Sequence, residues 1–331
     1  MRKIRIAQIG VSHFGHGAAI FNTLKKNSDV FEIVGYALPE GERVKFPNVV
    51  KCFDGYTEMT VEEILSDKSI EAVAIEGEEI NLTKYGILAA RAGKHIHFEK
   101  PGSPSLDGFR EMIGGVKENG VKFHMGYMYR YNPVIRDVIS RVRAGEIGEV
   151  LSVEAQMSCR HGEAFANWIP TLEGGMMLYL GCHLVDLVLT IQGEPLKVTP
   201  VNRSSGRYGV ENNRDLAFAL LEYERGVSFV KAYAAECSGY GRRQLVITGT
   251  EGRFEICPLE VNVNYPLVAS GFSESKSDVF TDRAESVLSE PYDRYDDMMR
   301  SFGEFVCGER ENPYTPDYEL KLFELIKKCC E

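Results

Sequence analysis

Apolar and polar positions alternate over residues 3–9 (KIRIAQI), and the run ends in a glycine, as a strand entering a turn does. A helical period takes over in GHGAAIFNTLKKN (15–27). FEIVGYAL (31–38) predicts a second strand, VEEILSD (61–67) a short helix and IEAVAIE (70–76) a strand of the buried type. NLTKYGILAARAG (81–93) predicts a helix stopped by Gly93, and KHIHFE (94–99) another strand. SLDGFREMIGGVKENG (105–120) is a helix pattern with Asp107 in its first turn, where the helix dipole favours an acid. VKFHMGY (121–127) is a strand again. Strands alternating with helices of about 10–15 residues predict right-handed βαβ units and a parallel sheet.

The rhythm changes near residue 150. EVLSVEAQMSC, RDLAFALLEYE, GVSFVKAYAAE, RRQLVITG and GRFEICP are strand patterns, several separated by turns such as ERG and TEG, which predicts an antiparallel sheet. A helix, GGMMLYLGCHLVDLVLTIQG (174–193), lies ahead of most of it. Residues 268–290, rich in Ser, Glu and Asp, read as a mobile surface excursion. Two helices, at 292–307 and 316–330, close the chain. The expected class is α/β: an N-terminal Rossmann-type, doubly wound parallel sheet (1–122), then an α+β domain with a large open, mainly antiparallel sheet (123–331). The C-terminal helices are free to pack back on the first domain.

Composition narrows the function. The chain has 331 residues, of which 44% are hydrophobic, enough for two domains with their own cores. Lys and Arg total 38 against 48 Asp and Glu, a formal charge of −10. That balance argues against nucleic acid, whose phosphates need clustered positive charge, and against an anionic membrane surface. No apolar run is long enough for a membrane span. Arg5 and Gln8 interrupt any signal-peptide core, and the eight cysteines are scattered with no metal spacing. The expectation is a cytoplasmic protein with reduced thiols and no bound metal.

Three stretches carry chemistry. IGVSHFGHG (9–17) nearly spells the glycine fingerprint of a dinucleotide fold, with Gly10 and Gly15 in place and Ser12 at the second position. A strand–loop–helix turn leaves backbone N–H groups at a helix start, which suits a pyrophosphate, and Ser12 adds a donor. The plainer alternative is a tight βα turn. HFEKPGSP (97–104) sets Glu99 and Lys100 at the carboxyl end of a parallel strand, where open α/β sheets keep their ligand cleft. In EGGMMLYLGCHLVD (173–186), Tyr179 and His183 are four apart and share a helix face, and Asp186 follows three after the histidine.

Together these stretches, with GYMYRYNPVIRDVISRVRAGEIGEVLSVEA (126–155) and ITGTEGRFEI (247–256), resemble the glucose-fructose oxidoreductase, inositol dehydrogenase and rhizopine-catabolism (Gfo/Idh/MocA) family, in order and over nearly the whole chain. The resemblance implies an NAD- or NADP-dependent dehydrogenase of sugars, polyols or their derivatives. It also implies a homodimer or homotetramer joined through the second domain's sheet. Lys100 matches the family's Glu-Lys-Pro lysine and His183 its catalytic histidine. Alcohol oxidation needs a base for the hydroxyl proton and a cation for the alkoxide. The family pattern brings Gly10, Ser12, His13, Phe14, Gly15, Gly77, Glu78, Glu79, Glu99 and Lys100 to the cofactor. It brings Tyr127, Arg130, His161, Trp168 and His183 to the substrate, so a cleft lined by Lys100, His183 and Tyr179 is expected.

The chain departs from the pattern at Ser12, at Leu38 where an acid usually holds the ribose, at Gly77-Glu78-Glu79 in place of Thr-Pro-Asn, and at Tyr179 in place of Asp. Loss of the acid at Leu38 removes a charge-assisted hydrogen bond worth roughly 1.5–3 kcal/mol unless Glu40 replaces it. Glu78 and Glu79 set negative charge near the pyrophosphate unless they face solvent. The expectation is loose dinucleotide binding. Glu40 favours NAD and Arg43 with Lys45 favours NADP, and the balance is expected to fall to NAD. The alternative to an enzyme is a relative that senses cofactor or sugar without turnover.

Overall fold

The apolar run Ile4–Ile9 (β1) lies within a five-stranded sheet in the computed structural model, which describes residues 2–277, 279–280 and 284–331. The chain continues through α1 (Gly17–Lys26), β2 (Phe31–Ala37), α2 (Glu42–Lys45), α3 (Val61–Ser66), β3 (Ala72–Ile75), α4 (Leu82–Arg91), β4 (His95–Phe98), α5 (Leu106–Glu118) and β5 (Phe123–Met125). The strand order is β2-β1-β3-β4-β5 and every pairing is parallel. Ile4, Ile6, Ile9 and all of β3 are fully buried, as expected where helices cover both faces of a parallel sheet. Local signals set the helix starts. Thr60 and Glu63 form a reciprocal capping box on α3, and Ser105 caps α5 through the Gly108 N–H. Between β1 and β3 the direction of winding reverses, so the carboxyl ends of these two strands flank the crevice where such sheets hold ligands.

The second half contains α6 (Pro133–Arg143), β6 (Val150–Gln156), α7 (Glu163–Trp168), α8 (Cys182–Gln192), β7 (Lys197–Pro200), β8 (Leu216–Glu222), β9 (Val227–Tyr233), β10 (Gln244–Gly249), β11 (Arg253–Ile256), β12 (Val261–Asn264), β13 (Leu267–Ala269), β14 (Gly271–Ser275), β15 (Val287–Leu288) and β16 (Tyr292–Asp293). Asn132 caps α6 by accepting from the N–H groups of Val134 and Ile135, with Pro133 at the first helical position. The large sheet runs β15-β14-β11-β10-β6-β9-β8-β7, and β12-β13-β16 form a small second sheet. On β8, Ala217, Ala219 and Leu221 are fully buried while their neighbours are half-exposed, so one face is covered and the other is partly open. Helices α9 (Asp296–Cys307) and α10 (Pro316–Cys330) end the chain.

The chain divides into two units. One holds the residues up to Met128 together with Tyr295–Phe323, and the other holds Tyr129–Arg294 and Glu324–Glu331. The first unit therefore ends six residues later than expected and regains α9. The large sheet is mainly antiparallel, as expected, with one parallel pairing, β6 with β9. Two sequence expectations change. The stretch 268–290 is not a plain excursion: β14 pairs with β11, and β15 with β14. The part of that expectation at residues 278 and 281–283 lies outside the described residues. The expected helix 174–193 is interrupted by a π-helical turn, Met177–Gly181, before α8 begins. No helix among the described residues is long and apolar enough to cross a membrane.

Candidate active site

The glycine loop is built for close approach. Gly10 has φ +85°, and a Cβ there would stand 2.5 Å from the Gly77 Cα, so only glycine fits between the loops after β1 and β3. The amide of the fully buried Gln8 donates to the carbonyls of Gly10 and Gly17, both at 3.0 Å, and pins the two ends of the loop together. Ser12 is buried, and its Oγ accepts the Gly15 N–H at 2.8 Å. His13 is exposed and stands edge-on to Phe14, with ring centres 4.6 Å apart. Helix α1 has no side-chain cap and no acid in its first turn, so its leading N–H groups suit an anion.

Carboxyl groups crowd this crevice. Glu79 is 2% exposed and comes within 3.7 Å of where a Cβ on Gly15 would stand, so it faces the loop rather than solvent. No donor from another residue meets its carboxyl oxygens, and burial pushes its pKa up to about 7 despite the attraction of Lys100. Glu78 instead pairs with Lys45 at 2.6 Å. Glu99 and Lys100 are both buried at the end of β4, with Nζ 3.8 Å from Oε1. His16 Nδ1 lies 2.8 Å from the same Glu99 oxygen. Burial acts to raise the Glu99 pKa, but His16 and then Lys100 outweigh it and hold it below the ordinary value. Glu76 is fully buried, 3.3 Å from His97 Nε2, and burial together with Glu99 lifts it well above the carboxylate range. His97 Nδ1 in turn lies 2.8 Å from His124 Nδ1.

The expected ribose acid is not where the sequence suggested. Leu38 is half-buried, and Glu40 is drawn away: Lys84 Nζ and the Tyr85 hydroxyl both donate to its Oε1 at 2.6 Å. Glu42, which the sequence reading passed over, instead lies between Gly10 and Gly77. It is 1% exposed, and its Oε2 accepts the Val11 N–H at 3.2 Å.

In the second unit, His183 is 1% exposed on α8 and meets the edge of the Tyr129 ring, with centres 5.3 Å apart. Tyr179 sits in the π-helical turn, so its four-residue spacing from His183 is not that of a regular α-helix. Its ring joins those of His161, Phe165 and Trp168, with centres 6.4, 5.2 and 5.3 Å away. Burial lowers the His161 pKa to about 4, so the ring is neutral at pH 7. Arg130, expected at the substrate, commits its fork to Asp186, with Nε at 2.9 Å and an NH2 at 2.8 Å. Asp186 therefore serves Arg130 in a buried pair. Tyr127, in the first unit, is 1% exposed. No group of His, Cys, Asp and Glu among the described residues could hold a metal.

A parallel sheet with a glycine loop at its switch point, followed by a helix-backed open sheet, is the architecture of a nucleotide-binding oxidoreductase. Residues 4–127 match a family described as oxidoreductases with an NAD-binding Rossmann fold, and residues 135–255 match the Gfo/Idh/MocA C-terminal domain. The chain belongs to the Gfo/Idh/MocA oxidoreductases, a family whose members use NAD or NADP. It is 24% identical over 258 residues to 2,7-anhydro-N-acetylneuraminate hydratase of Escherichia coli K12, covering 76% of this chain and 67% of that one. It is 31% identical over 199 residues to the NAD+-dependent scyllo-inositol 2-dehydrogenase of Bacillus subtilis, covering 57% and 56%. The fold matches the 3-ketoreductase KijD10 of Actinomadura kijaniata, solved with NADP and TDP-benzene, with a TM-score of 0.80 at 18% identity over 98% and 96% of the two chains. The chain thus aligns with 56 to 67% of the length of these two curated relatives.

Proposed function

We propose that the protein transfers hydride between a nicotinamide dinucleotide and a hydroxyl or carbonyl carbon of a sugar, polyol or related small molecule. The observation that carries this reading is Lys100: a lysine 1% exposed, at the carboxyl end of a parallel strand, in the unit that carries the glycine loop. Gly10, Ser12, Gly15 and the start of α1 would hold the pyrophosphate, and the nicotinamide supplies the hydride acceptor or donor. His183 takes the hydroxyl proton on its imidazole during oxidation and returns it during reduction. Lys100 steadies the negative charge on the substrate oxygen. Tyr179, with His161 and Trp168, supplies aromatic surface for a sugar ring. The half-exposed face of β8 and β9, where Phe218 stacks on Phe229 at 5.6 Å, supports a homo-oligomer joined through the sheet. The eight free cysteines support a reducing, cytoplasmic setting.

The test is absorbance at 340 nm with a panel of polyols, aldoses and keto sugars and both cofactors. At least one pair turns over, and Lys100→Ala and His183→Asn each lower kcat/KM by about 10²-fold or more. Tight cofactor binding with no turnover across the panel favours the sensing role. Product formed without net change in the cofactor contradicts net redox chemistry.

A further inference from the structure

Two consecutive residues grip one turn of α8. Tyr129 and Arg130 lie in the short 3-10 turn ahead of α6. The Tyr129 ring stands edge-to-face with the His183 imidazole, centres 5.3 Å apart and planes at 90°. Arg130 holds Asp186, three residues further along α8 and so on the same face as His183. The remaining side chains of that turn, Leu184, Val185, Leu187 and Val188, are buried and apolar.

Tyr129 is itself fixed at its far end. It is 2% exposed, and its hydroxyl donates to Glu260 Oε1 at 2.8 Å. Arg294 donates from Nε to Oε2 and from an NH2 to Oε1 of the same carboxylate, both at 2.7 Å, and an Arg243 NH1 reaches Oε1 at 3.2 Å. Burial acts to raise the Glu260 pKa, but Arg294 and then Arg243 outweigh it and hold it below the ordinary value. Burial, and after it the charge of Glu260, push the Tyr129 phenol up, so it stays a donor. The backbone beside the acid is pinned as well, since Ser270 Oγ donates to the Leu259 carbonyl at 2.6 Å. A hydroxyl bonded to an ionised carboxylate makes a charge-assisted hydrogen bond, stronger than one between neutral groups. A buried ion cluster is a weak source of stability beside apolar packing, so what this one contributes is a fixed place for the Tyr129 ring.

We infer that Tyr129 is a positioning residue for His183: its hydroxyl bond to Glu260 locks its ring, and the ring sets the orientation of the imidazole. This rests on the hydride-transfer reading above and adds to it the support of the proton carrier. An imidazole acting as a base must present one nitrogen within hydrogen-bond reach of the reacting hydroxyl, and small misplacements of such a group are costly.

The test follows 13C-labelled histidine rings of the full chain by NMR, with His183 assigned by the signal lost in His183→Asn. Tyr129→Phe keeps the ring and its magnetic effect on its neighbour but loses the hydroxyl bond, so a moved His183 signal reports a turned ring. The His183 signal moves in Tyr129→Phe and in Glu260→Gln, while those of His97 and His124 in the first unit stay in place. The double variant moves it no further than the larger single change, because both act through one hydrogen bond. With any substrate and cofactor pair that turns over, Tyr129→Phe lowers kcat about tenfold and leaves KM within about threefold. If Glu260→Gln fails to fold, Tyr129→Phe decides alone. A His183 signal unmoved in Tyr129→Phe, or a kcat unchanged by it, overturns the inference and leaves the hydride-transfer reading intact. A moved signal in a protein that turns over no pair keeps the clamp and removes that reading.

Discussion

In the second unit, the buried Asp186 meets the fork of Arg130, and Glu260 is held by Arg294 at 2.7 Å and Arg243 at 3.2 Å. In the first unit, Glu42, Glu76, Glu79 and Glu99 are all buried, and the lysine among them is Lys100. The same composition produces two kinds of interior. Arginines answer Asp186 and Glu260, because an unpaired buried charge costs several kcal/mol. Where the chain ends its parallel strands, acids outnumber cations. There burial raises the pKa of Glu42, Glu76 and Glu79, which shifts each toward its uncharged form and lowers the cost. An interior that tolerates such groups is arranged for something other than stability, and perturbed carboxyls in a ligand crevice fit that description.

The comparison breaks most sharply if a paired acid is removed. Asp186→Asn leaves the Arg130 guanidinium buried without its counter-charge, and urea unfolding should show a loss of about 3–5 kcal/mol. A loss under about 1 kcal/mol would mean that the pair is not structural.

The opposite sign is expected in the first unit. Glu79 binds its proton more tightly folded than unfolded, with its pKa at about 7 against an ordinary 4.5. Its contribution is therefore complete below the ordinary value and is lost as pH rises through about 7, by roughly 3 kcal/mol in all. Glu79→Gln should be more stable than the wild type at pH 9 and no more stable at pH 4.5. Urea midpoints at the two pH values check this, and a variant less stable at pH 9 contradicts it.

The smallest effect is expected at the loop. Ser12 Oγ accepts the Gly15 N–H within the loop, and one such hydrogen bond contributes only about 1 kcal/mol. Ser12→Gly should change the NADH dissociation constant less than about threefold. A tenfold gain would locate the departure from the family pattern in the loop itself.

The parallel sheet was legible because each of its strands is a short apolar run between helices, and a single period decides each element. The glycine loop and Lys100 were legible because their meaning depends on neighbours in sequence. Glu42 was hidden because its position depends on two left-handed residues in a stretch without periodicity. Leu38 and Glu40 lay nearer the end of β2 and drew attention first. The inward turn of Glu79 was open in the sequence, since adjacent glutamates usually face water. The π-helical turn at Met177–Gly181 has no signature in an apolar helix pattern, so Tyr179 and His183 were placed on one regular face. The parallel pairing of β6 with β9 joins strands more than seventy residues apart, Glu154 opposite Phe229, and no local pattern specifies its direction.

The central claim is that the crevice between β1 and β3 binds a nicotinamide dinucleotide despite its acids. Titrating the protein into NADH and following nicotinamide fluorescence tests it directly. The account predicts saturable binding, with a dissociation constant between roughly 1 µM and 1 mM, reversed by added NAD+. No saturable change with either NADH or NADPH up to about 1 mM would contradict it.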